Sequence, residues 1–570
     1  NARRLLAGDF GSGVAQNMFY WMGLVAAVGV IWVISRRAKA GLDDPAGSGA
    51  EKGASTSTVQ QRGYEGPEDL EPDDAFNRQL RENVHPSDWT NPSPEGVYNL
   101  VAIGAGTAGL VGAAGAAGLG ARSALVERNL MGGDCLVTGC VPSKGVIRSA
   151  RAASQVRRAS EFGIGVDGHV NVDFAEVMKR MRRIRSEISE EDSAERFDSL
   201  GVDVYLGDAR FVDGETIEVG DRKLRFKKAL IATGGRPFVP AIDGLEKAGY
   251  LTSETVFELT ELPERIAVIG GGPIGCELAQ SFRRFGADVT VVELTDSLLG
   301  REDPDAAALV EAALRADGVD LRLASKVTAV GTHNGEKVLA IRSDEGDTDE
   351  LAVDAILLAV GRAPNVEGLG LGSAGVAYDA KAGIDVDDHL QTTNPNIYAA
   401  GDVASPYKFT HTADAQARLV VQNALFFGRA KASDLVVPWC TYTDPEVAHV
   451  GLHAEAARER GYDVETVRQD LDGVHRALLD GESEGFLKVH LKAGTDEILG
   501  ATLVADHAGD MISELTLAMT ADIGLATIAD TIHPYPTTAA IHKRAADAYN
   551  RSRLKPWMKS VLETWFGLTR

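Results

Sequence analysis

A chain of 570 residues exceeds what one hydrophobic core can hold, and the usual domain size predicts roughly three or four domains. Its formal charge of -24 argues against nucleic acid as a partner, because that affinity depends on Lys and Arg displacing counterions from phosphates. The four cysteines, Cys135, Cys140, Cys276 and Cys440, are too few for a secreted disulfide scaffold of this size, so any disulfide is expected to be catalytic rather than structural.

Residues 1–13 form a short head, and from Val14 to Ile34 there is no charged residue. About 20 helical residues cross a hydrocarbon core of about 30 Å, so 14–34 is predicted to be a transmembrane helix that anchors the chain in a membrane by a single pass. Trp21 and Trp32 suit the two interfaces. Arg36, Arg37 and Lys39 follow and place the rest of the chain on the cytoplasmic, stromal or matrix side, an assignment that Arg3 and Arg4 weaken. The alternatives are a buried helix or a signal sequence cleaved near Ala38-Lys39-Ala40, although the run is longer than the roughly 7 to 15 residues of a signal core. The first residue is Asn rather than Met, which suggests a processed or truncated start. Residues 35–95 are rich in Gly, Ser, Pro, Asp and Glu and poor in large aliphatics, which predicts a flexible acidic tether.

From Tyr98 onward, short β-branched runs alternate with Ala-rich helical stretches, the pattern of an α/β fold with a parallel sheet covered by helices. Asn99-Leu100-Val101-Ala102-Ile103 reads as a buried strand and runs into Gly104-Ala105-Gly106-Thr107-Ala108-Gly109 and a helix rich in Ala and Gly. This is a Rossmann fingerprint. Gly104, Gly106 and Gly109 permit the tight turn and the close approach of backbone to a pyrophosphate seated on the helix N-terminus. Glu127 ends the next strand, 23 residues after Gly104, where a carboxylate can grip a ribose diol. The pattern recurs in Arg265-Ile266-Ala267-Val268-Ile269, then Gly270, Gly272 and Gly275, with Glu293 again 23 residues after the first glycine. Two such units predict two dinucleotides. An acid at Glu293 favours NADH over NADPH because it repels a 2′-phosphate, a preference that nearby Arg301 moderates.

Beyond the first fingerprint lies Gly132-Gly133-Asp134-Cys135-Leu136-Val137-Thr138-Gly139-Cys140-Val141-Pro142-Ser143-Lys144. Two cysteines at the start of a helix can pair across a turn while the helix dipole lowers their thiol pKa. The segment resembles the redox-active helix of the flavoprotein disulfide reductases, the group of lipoamide dehydrogenase, glutathione reductase and mercuric reductase, and the resemblance covers residues 98–549. Ala232-Thr233-Gly234-Gly235, Val360-Gly361-Arg362-Ala363-Pro364-Asn365, Ala400-Gly401-Asp402 and Tyr442-Thr443-Asp444-Pro445-Glu446-Val447 fall in the order of that group. Lys408-Phe409-Thr410-His411-Thr412-Ala413-Asp414 looks most like its mercuric-reductase-like branch.

The resemblance implies an FAD-binding domain at 96–255, an NAD(P)-binding domain at 256–375, a return to the FAD domain at 376–436 and an α+β dimerisation domain at 437–550, in a homodimer. It also implies electron passage from NADH or NADPH through FAD to a Cys135–Cys140 disulfide and on to a small-molecule or protein acceptor. In that scheme Cys140 faces the flavin, Cys135 is the outer thiol, Lys144 sits near flavin N5 paired with Glu277, and Asp402 holds the ribityl or phosphate part of FAD. Gly133, Thr233, Gly234, Gly361, Gly401 and Ala413 are further cofactor-binding positions implied by the same motifs. Cys276 and Cys440 lack such a setting and read as ordinary buried thiols. No metal site is predicted.

One departure from the group stands out. Its thiol-substrate members carry His-Pro-Thr-x-x-Glu, which supplies a base and its orienting carboxylate across the dimer interface. Here the residues are Tyr535-Pro536-Thr537-Thr538-Ala539-Ala540, so Tyr535 takes the base position and Ala540 that of the carboxylate. A Tyr of pKa about 10 needs a shift of about 3 units, roughly 4 kcal/mol, to act as a base at neutral pH. His533 lies two residues upstream, where several members carry a separate histidine, and is not assigned as the base. A Tyr at 535 suits the mercuric reductase pattern, but the C-terminus Trp565-Phe566-Gly567-Leu568-Thr569-Arg570 has no vicinal cysteines, and no cysteine-bearing metal domain precedes the FAD unit. Mercury is therefore not the expected acceptor.

In the tail, 551–570, the residues Leu554, Trp557, Met558, Val561, Leu562, Trp565 and Phe566 share one broad helical face, with Arg551, Arg553, Lys555 and Lys559 nearby. This fits an interfacial amphipathic helix or packing against the dimerisation domain. Two other functions compete with a disulfide-linked reductase. In one, the flavin reduces quinones, metals or oxygen directly; in the other, the chain is a flavin-bearing accessory subunit of a larger membrane complex.

Overall fold

In the computed structural model, which describes residues 70–168 and 170–570, the first fingerprint strand, β1 (Val97–Ile103), lies inside a mixed sheet. The head 1–13, the apolar run 14–34 and residues 35–69 of the tether lie outside the described residues. With β2 (Ser123–Glu127), β3 (Val202–Leu206), β4 (Ala209–Asp213), β5 (Thr216–Val219) and β6 (Arg222–Ile231), the strand order is β3-β2-β1-β6-β5-β4. β1 runs parallel to both neighbours, with Ile103 beside Val126 and Ile231. Its apolar run is continuous because both faces are covered. Leu100 and Ala102 pack with Leu110, Ala113 and Ala116 of the helix Thr107–Gly118, while Tyr98, Val101 and Ile103 pack with Tyr205 and Phe211. That helix comes close to the sheet because it presents glycine: a Cβ on Gly112 would stand 2.6 Å from Leu230.

The chain leaves this sheet through β7 (Gly235–Pro237) and builds β8 (Arg265–Ile269), β9 (Asp288–Val292) and β10 (Asp320–Arg322). An antiparallel meander of β11 (Ser325–His333), β12 (Glu336–Ser343) and β13 (Thr348–Val353) follows, and then β14 (Ala355–Leu358). The second parallel sheet has the order β10-β9-β8-β14. β15 (Arg362–Pro364) pairs with β7 and carries the chain back. After a small hairpin of β16 (Tyr378–Asp379) and β17 (Gly383–Ile384), β18 (Ile397–Ala399) joins the first sheet beside β6. The last unit is an antiparallel sheet of β19 (Pro438–Thr441), β20 (Glu446–Gly451), β21 (Val464–Asp470), β22 (Phe486–Lys492) and β23 (Ile498–Ala505), in the order β19-β20-β23-β22-β21. Leu487, Val489 and Leu503 of this sheet pack with Leu515, Ile541 and Tyr549 from the helices Ala508–Thr520 and Ala540–Ser552.

Two expected boundaries move. The tether was expected to run to residue 95, yet Ala75–Val84 is a helix, capped by Asp74, whose carboxylate accepts from the amides of Phe76 and Asn77 at 2.9 Å. A segment poor in aliphatics still folds here because its few, Leu80 and Val84, fall one turn apart on one face and are fully buried, and because Arg182 donates to Asp74 at 2.6 Å. The second boundary was expected at 375. Val366, Leu369, Leu371, Ala374 and Val376 instead pack with Phe211, Phe226 and Ile397 of the first sheet, so the return begins with β15.

Phe282, on the helix Pro273–Phe285 that follows the second glycine loop, is 2% exposed and joins Phe174, Val447 and Phe486 in one cluster that draws on all three units. Phe282→Ala is expected to cost about 3–5 kcal/mol. The check is the urea midpoint of the purified protein, and an unchanged midpoint would contradict this packing.

Candidate active site

The two glycine loops are built alike. Gly104 has φ +95° and Gly270 has φ +109°; a Cβ would fall 2.4 Å from the carbonyl oxygen of Ala232 in the first and 2.5 Å from that of Ala359 in the second. At the third glycine, a Cβ on Gly109 would meet the Gly104 carbonyl oxygen at 1.8 Å, and one on Gly275 would meet that of Gly270 at 2.0 Å. The first and third glycines are therefore required by packing. The middle ones differ: beside Gly106 the nearest atom is 3.9 Å away, and beside Gly272 there is open space. The two carboxylates are also held alike. Glu127 accepts from the amides of Ala105 at 2.6 Å and Asn129 at 2.7 Å, and Glu293 accepts from those of Gly271 at 2.5 Å and Thr295 at 2.9 Å. Burial pushes the Glu127 carboxyl up, against the pull of those amides.

Both loops open onto one cavity of about 2050 Å³. A single ligand pocket spans about 300–1,000 Å³, so this space has room for more than one ligand. Gly133, Thr233, Gly234, Gly361, Gly401, Asp402 and Ala413 line it, as do Glu127, Glu293, Cys135, Cys140, Lys144 and Glu277. Gly109 and Gly275 do not; they sit behind the loops as packing residues. Gly133, at φ +57°, lets the cysteine turn approach the first loop, since a Cβ there would stand 2.8 Å from Gly106 Cα.

Cys135 belongs to the short helix Gly133–Val137, and Cys140 is the first residue of the helix Cys140–Arg157. Gly139 lets the turn between them close, because a Cβ would collide with the Asp134 carbonyl at 2.6 Å. Both cysteines are free thiols, and Cys140 is the more exposed. A hydrogen bond with Cys135 draws the Cys140 thiol down to about 6; burial opposes this, and the Lys144 ammonium and a contact to Thr410, 3.6 Å from Sγ, assist. The same hydrogen bond and burial push Cys135 up, so the proton stays on Cys135. Lys144 donates to Glu277 at 3.0 Å, and the other oxygen of Glu277 accepts from the Tyr442 amide at 2.8 Å. The Tyr442 ring lies 4.5 Å from the ammonium. Burial pulls the Lys144 pKa down, but Glu277 and Cys140 outweigh it and hold the ammonium charged.

Other residues were not visible in the linear sequence. Arg185, fully buried, donates to the carbonyl of Val137 and to Asn77, each at 2.7 Å, and so ties the cysteine turn to the helix Ala75–Val84. Arg362 donates to Asp134 and lies 3.3 Å from Asp402, so the carboxylate expected at FAD is ion-paired within the chain. Glu302 lines the cavity, accepts from the Trp439 indole at 2.7 Å and has its carboxyl pushed up to about 7, burial outweighing that bond. Cys276 is the ordinary buried thiol expected, but Cys440 is not: it lines the cavity, with Glu446 3.9 Å away, and burial and that carboxylate keep it protonated. β19 carries it there, a placement that its flanking residues do not signal.

Tyr535 does not line the cavity. It is 78% exposed, and its hydroxyl lies 3.1 Å from His475. His533 bonds to Glu514 at 3.0 Å, and buried His542 bonds to the same carboxylate at 2.8 Å. These three side chains form a metal-like constellation, with ligand-type atoms within 4.8 Å of one another, that hydrogen bonding accounts for.

Residues 98–417 match the family of pyridine nucleotide-disulphide oxidoreductases, and residues 437–546 match the dimerisation domain of the same family. The chain belongs to the pyridine nucleotide-disulphide oxidoreductases. It is 35% identical over 497 residues to a mercuric reductase of Lysinibacillus sphaericus, covering 86% of this chain and 90% of that one. It is 33% identical over 466 residues to a dihydrolipoyl dehydrogenase of Bacillus subtilis, covering 79% and 97%. Among solved structures it is similar to the Cu(II) complex of the HOCl-induced flavoprotein disulfide reductase RclA of Escherichia coli, with a TM-score of 0.71 and 29% identity over 80% of this chain and all of that one. As a member of the family it is an FAD-dependent, NAD(P)H-using oxidoreductase of the flavoprotein disulfide reductase type, and the dimerisation domain suggests a homodimer. The chain fits two dinucleotides: each middle glycine leaves room that a Cβ would fill, at a helix N-terminus bordering the shared cavity.

Alkylation of the reduced protein by iodoacetamide should report the Cys140 thiolate, its rate rising through about pH 6 and levelling above. Lys144→Met should move that midpoint upward by removing the cation. A midpoint near the ordinary thiol value of about 8.5, unmoved in the variant, would contradict the electrostatics described.

Proposed function

We propose that this chain is a membrane-held NAD(P)H-dependent reductase whose Cys135–Cys140 pair delivers two electrons to a small acceptor. In this reading residues 14–34 anchor it by a single pass, the catalytic part faces the cytoplasm, stroma or matrix, and two copies form the working unit. The observation that carries the reading is the Cys140 thiol, opening into the cavity shared by both glycine loops and held in its charged form beside the Lys144–Glu277 pair. When bound, FAD and NAD(P)H supply the hydride chemistry that side chains lack.

The residues do the rest. The reduced pair, Cys140 thiolate and Cys135 thiol, gives two electrons and one proton to the acceptor as the Cys135–Cys140 bond closes, any second proton coming from solvent; the two electrons and one proton of a hydride, supplied by NAD(P)H, reopen it as thiolate and thiol. Lys144 stabilises the negative charge on Cys140, and Cys135 keeps the proton of the pair. Glu293, at the second loop, favours NADH, since a 2′-phosphate would meet a carboxylate. The acceptor is one whose reduction needs no imidazole at position 535, which sets lipoamide and glutathione disulfide apart.

Anaerobic titration of the FAD-loaded protein with NADH, followed in the visible spectrum, tests the core of this reading. A long-wavelength band at two-electron reduction that is absent from Cys140→Ser is the expected result; full turnover by that variant would move the chemistry to the flavin alone. Lipoamide and glutathione disulfide should be reduced about 10² to 10⁴ times more slowly than by enzymes that carry the His-Glu pair. Brisk turnover of either substrate would refute the assignment.

A further inference from the structure

The last helix, Pro556–Leu568, has no buried residue. Trp557, Val561, Leu562, Trp565, Phe566 and Leu568 are all exposed, Trp557 by 64% and Leu568 by 80%. At about 100° per residue these six and Met558 fall within one half of the helix circumference, with Lys559, Ser560, Glu563 and Thr564 on the other. The dimerisation-domain packing considered from the sequence is therefore not made within one chain. A contiguous apolar face of this kind marks an interaction surface.

Charge identifies the occupant. Residues 551–570 carry Arg551, Arg553, Lys555, Lys559 and Arg570 against Glu563 alone, within a chain of net charge -24. Two copies of this segment, each with the same excess of cations, gain no charge complementarity by pairing. An anionic lipid surface instead accepts the cations at its headgroups and the tryptophans and aliphatics below them. With 13 residues, the helix is about 20 Å long and cannot cross a hydrocarbon core of about 30 Å, so it lies in the plane of the interface.

We propose that Pro556–Leu568 is an in-plane membrane-binding helix that holds the dimerisation-domain end of the chain on an anionic bilayer. This surface is separate from 14–34 and does not depend on that segment crossing the membrane.

The test uses the full-length protein with phosphatidylcholine vesicles, with and without phosphatidylglycerol, whose acyl chains are brominated to quench tryptophan. The fluorescence lost in a Trp557→Phe/Trp565→Phe variant defines the tail's own signal. That signal should be quenched on vesicles containing phosphatidylglycerol, and quenching should be lost in Val561→Glu/Phe566→Glu, which keeps both tryptophans. Trp21 and Trp32 remain in every variant and report separately on the N-terminal run. An unquenched tail signal overturns the proposal, and one that is blue-shifted without vesicles in proportion to protein concentration assigns the face to a second copy.

Discussion

One buried carboxylate holds the site together. Glu277 sits on the helix after the second glycine loop, receives Lys144 from the helix that Cys140 begins, and receives the Tyr442 amide from the loop between β19 and β20. The NAD(P) unit, the FAD unit and the dimerisation unit therefore meet at one side chain. Glu277 is buried while the Lys144 side chain stays 35% exposed, so removing the lysine leaves a buried carboxylate uncompensated, at a cost that solvent screening holds below that of a fully buried pair, whereas the intact pair adds little net stability. Its value lies in position: it keeps an ammonium beside Cys140, where a thiolate has to persist at neutral pH. Arg284 reinforces the same junction, bonding Asp444 at 2.6 Å and Asp317 at 2.9 Å.

The paired glycine loops show how one local solution serves two sites. In each, the strand-end carboxylate holds the loop backbone from behind, and the first and third glycines are locked by a neighbouring carbonyl. Only the middle glycine leaves room for a Cβ, with open space beside Gly272 and the nearest atom 3.9 Å away beside Gly106, so the loop is rigid where it packs and bare where a phosphate would lie. In the first loop, Gly133 adds a third surface by bringing the cysteine turn against Gly106.

The cysteine turn is braced from the opposite side as well. Arg185 gives up its hydration to bond the Val137 carbonyl and Asn77, and burial lowers its pKa to about 10, a cost that only a fixed geometry repays. Through it, the helix Ala75–Val84, which precedes the first sheet, becomes part of the frame around Cys135 and Cys140. The acidic character of the chain is offset locally by Lys144 and Arg362 at the site, and by the basic tail at the other end.

Much of this was legible in the linear sequence, for a definite reason. Fingerprint glycines, their 23-residue spacing to Glu127 and Glu293, and the Cys135–Cys140 turn are short-range features in which neighbouring residues set the backbone, so residue type and spacing suffice. The α/β alternation follows from periodicity in the same way, whereas the order of the units was implied by the resemblance of the motifs to the flavoprotein disulfide reductases. Tertiary structure alone decided what depends on distant segments meeting. It brought Glu302, Thr410 and Cys440 to the cavity wall, set Arg362 between Asp134 and Asp402, left Tyr535 on the surface beside His475, and turned part of an apparent tether into a packed helix. Those placements arise because packing energy selects among conformations that local sequence leaves nearly equal, and a side chain's partner 100 residues away writes no pattern around it.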